Sequence, residues 1–400
     1  MPLQKKKKSS NYGGVGNNIL DINFGGGNIG RGFIGEVLHN NGFDIIFVDV
    51  NEKIIDELNA RGSYEIEIAE EGKRTVAIDH VSGINSKKDP QKVIDAFLKA
   101  DLVTTAIGPN ILPYIAELIA KGIKIRKNND IEKGLDIMAC ENMIGGSEFL
   151  KSEVVKYLDG DDVDYLDKFV GFPNAAVDRI VPMQHHEDIL RVTVEPYKEW
   201  VVDETGMKNA ALRLEGVHYA ANLDPFIERK LFTVNTGHAT VAYEGKLKGY
   251  QTILEALQDD ELKEQVLNVL SETGSLMVAK WGFDKEEHQT YIHKIISRFA
   301  NPYIVDEITR VGRTPMRKLG FDERFIRPIR SLSEKGLNYS HLIKTVAKIF
   351  VYDDSEDTES VALLAMLKEK PFQEVAKEVT GLTDEKLLAA IEKEYQALVK

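Results

Sequence analysis

The sequence predicts an α/β fold, with a doubly wound parallel sheet in an N-terminal domain and mostly α-helices in a C-terminal domain. Three observations lead to this prediction. The 400 residues exceed what a single hydrophobic core usually supports. Strand-like and helix-like segments alternate through the first half of the chain, as in parallel sheets. The later patterns are almost all helical and show no fixed repeat. We expect a flexible leader at residues 1–18, the first domain at 19–200 and the second at 201–400.

Composition and charge narrow the class of protein. Hydrophobic residues make up 43% of the chain and charged residues 29%, as in ordinary soluble globular proteins. The formal net charge of −13 disfavours binding to nucleic acids and to anionic membranes. No apolar run approaches the roughly 18–20 residues that span a bilayer, so we expect no membrane insertion.

The cysteine content and the first eighteen residues bear on location. Cys140 is the only cysteine, so no intrachain disulfide can form and a cytoplasmic location is expected. The leader has four lysines but no apolar segment behind them, unlike a secretory signal. We interpret it as solvated; an arm that serves targeting or binds polyanions is the alternative.

The first predicted elements form a strand, a turn, a helix and a second strand. Residues 19–24, "ILDINF", are an apolar run that suits a buried strand. Apolar residues then recur at helical spacing from Ile29 to Leu38, and Asn41-Gly42 is a typical helix end. The continuous apolar run "DIIFVDVN" predicts a strand covered on both faces.

The same alternation continues along the chain. Helices are predicted at "EKIIDELNARG", "DPQKVIDAFLKA" and "ILPYIAELIAKGIK", and strands at "DLVTTAIG" and "LDIMAC". Between the first two helices, "SYEIEIAEEGKRTVAIDHVSGI" resembles a two-stranded insertion. Further strands are predicted at "KFVGFPN" and "ILRVTVEPYKEWVVD", before the helical half begins.

The stretch "FGGGNIGRGFIG" at residues 24–35 is a candidate cofactor site. Its spacing matches G-x-G-x-x-G, with a strand before it, a helix after it, and Asp49 nineteen positions beyond Gly30. In this Rossmann-type arrangement the backbone approaches a pyrophosphate, and the acidic residue binds the ribose and favours NAD over NADP. A purely structural turn is the alternative, and Arg31 either assists phosphate weakly or is simply solvated. The candidate cofactor residues are Gly25, Gly26, Gly27, Asn28, Ile29, Gly30, Arg31, Gly32 and Asp49.

Three polar residues in the apolar stretch "ERKLFTVNTGHA" are candidate catalytic groups: Lys230, Asn235 and His238. On a straight α-helix Lys230 and His238 would stand about 12 Å apart along the axis. Because "TVNTG" has poor helix propensity, we expect a break or distortion there, with Lys230 entering from the preceding turn. Taken singly, Lys230 is typical of a surface lysine and His238 of a core histidine.

Two further stretches carry candidate ligand-binding groups. Residues 306–330 concentrate positive charge, and arginine suits phosphate because its planar fork donates two hydrogen bonds. A solvated helix face with ion pairs is the alternative. In "GFPNAAVDRIVP", Asn174, Asp178 and Arg179 follow a strand end, where ligands collect in open sheets, although ordinary loop structure explains them equally well. No histidine or cysteine spacing suits a metal, so we expect a metal-free mechanism.

Taken together, several motifs resemble those of the polyol-specific long-chain dehydrogenase/reductase family. The resemblance runs from about residue 19 to the C-terminus and rests on "FGGGNIGRGFIG", "ACEN", "FPNAAVDRIVP", "VEPYKEWVVD", "PFIERKLFTVNTGHA" and "DEITRVGRTPMRKL". Two departures are visible: Gly26 replaces the usual alanine of "GAGNIG", and the leader has no counterpart in the family.

The resemblance implies NAD-dependent, metal-independent interconversion of mannitol 1-phosphate and fructose 6-phosphate. It makes Lys230 the general base for the C5 hydroxyl, with Asn235 and Asn174 holding the alkoxide and His238 orienting the substrate. Substrate-binding residues would include Asp178, Arg179, Arg310 and Arg317, the last two for the phosphate.

Alternatives to this function stay open at this point. A relative that acts on an unphosphorylated polyol or a hexuronate is the nearest one, and an NAD-binding regulator without turnover is the other. The expected partner is a small sugar phosphate, and the size and polar C-terminal surface are compatible with a monomer.

Overall fold

The computed structural model describes residues 19–400, so the predicted leader lies outside the described residues. The strands are β1 (Ile19–Phe24), β2 (Phe43–Asp49), β3 (Ser63–Ile68), β4 (Thr75–Asp79), β5 (Val81–Asn85), β6 (Leu102–Thr105), β7 (Leu135–Ala139), β8 (Val170–Gly171), β9 (Ala175–Asp178), β10 (Val192–Val194), β11 (Glu199–Asp203) and β12 (His218–Ala220).

The α-helices fall into two groups. Those of the N-terminal half are α1 (Gly35–Asn40), α2 (Glu52–Arg61), α3 (Pro90–Ala96), α4 (Leu112–Asn128), α5 (Gly146–Val154) and α6 (Gly160–Phe169). The others are α7 (Asp224–Arg229), α8 (Thr236–Leu247), α9 (Ile253–Leu257), α10 (Asp260–Trp281), α11 (Lys285–Phe299), α12 (Ile308–Val311), α13 (Pro315–Lys318), α14 (Ile326–Glu334), α15 (Ser340–Ile349), α16 (Thr358–Glu369), α17 (Phe372–Thr380) and α18 (Glu385–Val399). Two π-helical segments, Gly30–Ile34 and Lys230–Asn235, lead directly into α1 and α8.

The main sheet has six strands in the order β5-β2-β1-β6-β7-β8, and every neighbouring pair is parallel. This is the strand order of a Rossmann fold, in which the sequence of strands reverses direction on either side of β1. Apolar side chains from α3, α4, α5 and α6 cover one face of the sheet, and α1 and α2 with strands of the smaller sheets cover the other. The predicted fold class, a doubly wound domain followed by helices, is confirmed.

The segment predicted as a two-stranded insertion contains three strands, so that prediction is wrong. The strands β3 and β4 form an antiparallel hairpin that pairs with β10 in a separate sheet. After His80, which has a left-handed backbone (φ +56°), the chain reverses and β5 joins the main sheet beside β2. Apolar patterning does not distinguish a hairpin strand from a sheet edge, because both are half buried.

Side-chain caps and glycines mark where several of the helices begin and end. Asn51 caps α2 by accepting the N–H of Ile54, and Gly62 ends that helix with φ +64°. Asp259 caps α10 in the same way, and Gly282 ends it with φ +71°. Side-chain caps and left-handed glycines satisfy backbone groups that the helix leaves unpaired at its ends.

A third sheet, β12-β11-β9, lies where the two halves of the chain meet. Its strands continue to Ala220, beyond the predicted division at residue 200. From Asp224 onward the described chain is helical and packs around two apolar clusters centred on α8 and α10. In residues 19–400, no helix combines the length and apolar character needed to cross a membrane.

Candidate active site

The glycine-rich turn after β1 depends on glycine at two positions. Gly25 has φ +117°, and a Cβ there would overlap the carbonyl oxygen of Ala106. A Cβ on Gly30 would overlap the carbonyl oxygen of Gly25. Side chains at either position would push the turn away from the sheet, so the turn is tight because both residues lack a Cβ.

A cleft of about 640 Å³ opens along this turn at the carboxyl ends of β1, β2 and β6. Gly25, Gly27, Asn28, Ile29 and Asp49 line it, together with apolar residues. A Cβ on Gly27 would meet no atom within 4 Å, so the backbone at this residue is open to the cleft. An open backbone beside a carboxylate is what a dinucleotide pyrophosphate and ribose require, so the residues fit NAD.

Asp49 holds the turn as well as facing the cleft. Its Oδ2 accepts the backbone N–H of Gly26 at 2.8 Å, and its Oδ1 accepts the N–H of Asn51 at 2.9 Å. A carboxylate has about four acceptor positions, so the two oxygens can still accept bonds from ribose hydroxyls.

Arg31 is neither solvated nor directed at the cleft, which corrects both readings of this residue. Its guanidinium is buried and donates to the carbonyls of Gly26, Ile189 and Leu190, and to Asn28 at 3.4 Å. Gly32 also lies away from the cleft, because its Cα faces Val192 and Val194 of β10. Both residues therefore support the turn from behind.

A second cavity, of about 190 Å³, contains the predicted lysine and asparagine. Its walls are Glu141–Ile144 after β7, Ala175–Val177 of β9, the helix residues Ile227, Lys230, Leu231 and Asn235, and the side chains Arg317, Glu323 and Arg324. Glu141 joins this cavity to the cleft, because its carboxylate accepts the N–H groups of Ile107 and Gly108, which line the cleft.

The predicted helix distortion is present as the π-helical segment Lys230–Asn235. In a π-helix each hydrogen bond spans five residues, so side chains five apart lie on nearly the same face. Lys230 and Asn235 are such a pair, and both line the cavity. The helix is continuous from α7 through α8, so Lys230 lies on it and does not enter from a preceding turn.

The ammonium of Lys230 is held between two oxygens. Its Nζ donates to the carbonyl of Val177 at 2.6 Å and to Oδ1 of Asn142 at 3.1 Å. Burial lowers the pKa of Lys230 below its usual range, and the carboxylate of Asp178 opposes this effect. Asn235 makes no side-chain hydrogen bond within residues 19–400, so its amide is available to a ligand.

His238 does not line this cavity. Its ring stacks on Phe299, with centroids 4.5 Å apart and planes 12° apart, and its Nε2 lies 3.3 Å from the carboxylate of Asp306. Burial lowers its pKa, although Asp306 acts in the opposite direction. The structure therefore brings Lys230 and Asn235 together and leaves His238 outside the cavity wall.

Asn174 also lies outside the cavity wall. Its Oδ1 accepts the N–H groups of Ser147 and Glu148 in the first turn of α5. The amide that contacts Lys230 belongs to Asn142, which was not among the predicted site residues. The available signal was its position in "ACEN", directly after β7, because ligands collect at the carboxyl ends of parallel strands.

Asp178 and Arg179 are engaged within the protein, and neither lines the cavity, so the structure does not support their expected role in binding substrate. Arg298 donates to both carboxylate oxygens of Asp178 at 2.8 Å. The buried guanidinium of Arg179 pairs with Glu36 and donates to the carbonyls of Gly32 and Glu195.

The arginine-rich segment divides into two groups. Arg317 and Arg324 line the cavity, and Arg324 is partly buried, with Glu323 as its only carboxylate partner within residues 19–400. Burial together with Arg324, Arg317 and Arg313 lowers the pKa of the neighbouring Lys318 to about 7. Arg310 is outside the cavity wall and pairs with Asp306, so its expected phosphate contact is not supported.

Within residues 19–400, no three histidine, cysteine, aspartate or glutamate side chains are grouped in a way that could hold a metal ion.

Known proteins resemble this chain over almost its whole length. A 377-residue match to mannitol-1-phosphate 5-dehydrogenase of Streptococcus mutans serotype c is 59% identical and covers 94% of this chain and 99% of that protein. The enzyme of the same name from Lactiplantibacillus plantarum is 56% identical over 378 residues, covering 94% and 98% of the two chains.

Solved structures share the fold at low identity. The crystal structure of substrate-free D-sorbitol dehydrogenase matches with a TM-score of 0.81 and 17% identity, covering 95% of this chain and 93% of that one. Pseudomonas fluorescens mannitol 2-dehydrogenase, solved as a ternary complex with NAD and D-mannitol, gives 0.73 and 18%, covering 96% and 92%.

Two family models together span nearly all of the described residues. The model described as the mannitol dehydrogenase Rossmann domain matches residues 19–216. The model described as the mannitol dehydrogenase C-terminal domain matches residues 222–399. The chain therefore belongs to the mannitol dehydrogenase family.

Proposed function

We propose that this protein is an NAD-dependent oxidoreductase that interconverts mannitol 1-phosphate and fructose 6-phosphate by hydride transfer. The relatives at 56–59% identity carry the name mannitol-1-phosphate 5-dehydrogenase. The observation that carries the proposal is that one cavity is lined by the partly buried Lys230 and by Arg317 and Arg324. A sugar phosphate needs both a proton acceptor and cations for its phosphate.

The glycine turn and Asp49 are the residues that would hold NAD. The open backbone at Gly27 would bind the pyrophosphate, and the free acceptor positions of Asp49 would receive the ribose hydroxyls and repel a 2′-phosphate. NAD when bound supplies the carbon that accepts or donates the hydride. Arg31 keeps the turn in shape through its bond to Gly26.

Lys230 acts as the general base. Its lowered pKa favours the neutral amine more than in an exposed lysine, so it can accept the proton of the C5 hydroxyl and return it in the reverse reaction. The amides of Asn235 and Asn142 stabilise the developing alkoxide, a contribution of about 3 kcal/mol per donor. In this proposal Asn142 has the role that was predicted for Asn174. This proton transfer does not require a metal.

Arg317 and Arg324 bind the phosphate. Arg324 is partly buried and Arg317 is exposed, and the carboxylate of Glu323 compensates only part of their positive charge. Lys318 lies outside the cavity wall, where its ammonium donates to the carbonyl of Val311. A phosphate dianion supplies the remaining negative charge and accepts two parallel hydrogen bonds from a guanidinium. We further propose a cytoplasmic enzyme, because the single cysteine is buried and suits a reducing compartment. The size of the chain and its polar C-terminal surface are compatible with a monomer, which we also propose.

A panel of substrates tests the proposal. NADH oxidation is followed with fructose 6-phosphate, fructose and fructuronate, each with and without a metal chelator. We expect rapid oxidation with fructose 6-phosphate alone, and no effect of the chelator. Equal rates with fructose would contradict the phosphate site, and faster turnover of fructuronate would indicate a hexuronate dehydrogenase.

A further inference from the structure

Arg298 connects the two halves of the molecule directly behind Lys230. It lies near the end of α11, in the helical half, and its side chain is 2% exposed. Its guanidinium donates to both oxygens of Asp178 at 2.8 Å and to Glu195 at 2.6 Å. The planar group also lies over the ring of Tyr197, 4.1 Å from its centroid. One arginine therefore compensates two buried carboxylates of the other half.

The residues that Arg298 holds carry the oxygen that binds the catalytic lysine. Asp178 directly follows Val177, whose carbonyl accepts a hydrogen bond from Lys230 Nζ. Glu195 accepts the N–H of Ile180 at 2.6 Å, so Arg298 fixes residues 177–180 through both of its partners. If this segment moved, the Val177 carbonyl would move with it.

The charges around Lys230 depend on the same arginine. The charged groups that act on its ammonium are Asp178 on β9, Glu199 on β11 and Arg298 on α11, and the cavity adds Glu141, Glu323, Arg317 and Arg324. Glu199 is compensated separately by Arg229. Without Arg298, the buried carboxylates of Asp178 and Glu195 would lose their ion-pair partner, and Lys230 and Arg229 would be the remaining cations that act on Asp178.

We propose that Arg298 is a positioning residue for Lys230. Arg298 holds the Val177 carbonyl against the lysine, and by pairing with Asp178 it prevents this carboxylate from keeping Lys230 protonated. This inference rests on the proposed role of Lys230 as general base. It extends that role, because the two halves of the chain must be correctly packed for the lysine to release a proton.

The test compares the pH dependence of mannitol 1-phosphate oxidation in four variants. In Arg298→Met we expect the rising limb of the pH profile of kcat to shift to higher pH by about one unit, so that activity recovers at higher pH. Arg298→Lys keeps the charge but loses the paired bonds, so its limb stays near that of the wild type while kcat falls. Asp178→Asn removes the opposing carboxylate and moves the limb to lower pH. The control Arg126→Met removes another buried arginine, one that binds only backbone carbonyls, and leaves the limb in place.

A second measurement separates this inference from the proposed function. The rate at which trinitrobenzenesulfonate modifies Lys230 is measured by peptide mass spectrometry across the pH range, without any substrate. An upward shift of its midpoint in Arg298→Met supports the inference even if mannitol 1-phosphate is not turned over. Unshifted midpoints in both Arg298→Met and Asp178→Asn would overturn it, because Asp178→Asn retains the shape of the side chain and is expected to fold.

Discussion

At Lys230 two opposing influences set the protonation state. Burial in the cavity lowers the pKa of the ammonium, while Asp178 and Glu199 raise it. An exposed lysine is fully charged at neutral pH and cannot accept a proton, whereas a partly desolvated one can. The same side chain also donates to Val177 and Asn142, so it is fixed in place as well as activated.

Replacing Lys230 tests its role directly. Lys230→Met keeps most of the side-chain volume but removes the base, so kcat should fall by about 100- to 10,000-fold. NADH binding, measured by fluorescence titration, should be unchanged because the glycine cleft is separate. The control Lys280→Met removes a lysine that pairs with Glu228 outside the cavity, and its kcat should stay near that of the wild type. A Lys230→Met enzyme with nearly normal kcat would contradict the assignment.

Two arginines are candidates for binding the phosphate: Arg310, which the sequence suggested, and Arg324, which lines the cavity. Their replacement should have different effects. Arg324→Met should raise the KM for fructose 6-phosphate at least about tenfold, since a charge-assisted hydrogen bond contributes about 1.5–3 kcal/mol. Inhibition by inorganic phosphate should weaken by a similar factor. The matched variant Arg310→Met removes an arginine that pairs with Asp306 outside the cavity wall, and its KM should not change. The reverse result would place the phosphate beside Arg310.

At the scale of the element, the π-helical segment determines which residues meet. In a regular α-helix, Lys230 and Asn235 would point about 140° apart, so they could not line one cavity. The wider turn brings them to the same face, and it leaves His238 on the side that packs against Phe299. The π-helix therefore selects two of the three polar residues in this stretch.

Deleting one residue from the segment should restore regular helix. Thr233 is the suitable position, because its buried hydroxyl has no partner within residues 19–400. Deletion leaves Lys230 and Asn235 four positions apart, which is about 40° on a regular α-helix, so both should still line the cavity. We therefore expect kcat to stay within about tenfold of the wild-type value, with unchanged helix content by circular dichroism. Thr233→Val keeps the register and should be active. A deletion variant that keeps its helix content but loses activity would show that the π-helical turn itself is required.

At the scale of the whole molecule, the site combines groups from both halves of the chain. The carboxyl ends of β1, β2, β6 and β7 provide the turn, Asp49, the Ile107–Gly108 loop and Asn142. The helical half provides Lys230, Asn235 and the arginines. Buried charges at the junction, with Arg298 and Arg229 facing Asp178, Glu195 and Glu199, hold the halves in register.

The stability of the whole fold should fall on mild acidification because of His288. Its ring nitrogens have no partner among the described residues, and burial, assisted by Arg229, lowers its pKa to about 4. In the unfolded chain the pKa of His288 is about 6.5, so below that pH the unfolded state binds a proton that the folded state does not bind. Between pH 7 and 5 the free energy of unfolding should drop by about 1–2 kcal/mol from this residue.

Urea unfolding at the two pH values checks this expectation. The pH-dependent difference should shrink in His288→Phe, whereas the exposed neighbour His293→Phe should unfold as the wild type does. A wild-type stability that is unchanged between these pH values would contradict it.

Much of this protein follows from local sequence, and the rest depends on long-range contacts. The alternation of strands and helices, the glycine turn with Asp49, and the poor helix propensity after Lys230 are short-range properties, so the sequence predicted the fold class, the cofactor cleft and the helix distortion. Partners are not local. Arg179 and Arg310 have the same local chemistry as Arg324, and Asn174 the same as Asn142. Only the folded structure shows that Arg179 pairs with Glu36 and that Arg310 pairs with Asp306. Arg324 and Asn142, by contrast, line the cavity. The physical reason is that a side chain's availability depends on residues distant in sequence, which meet it only in the folded chain.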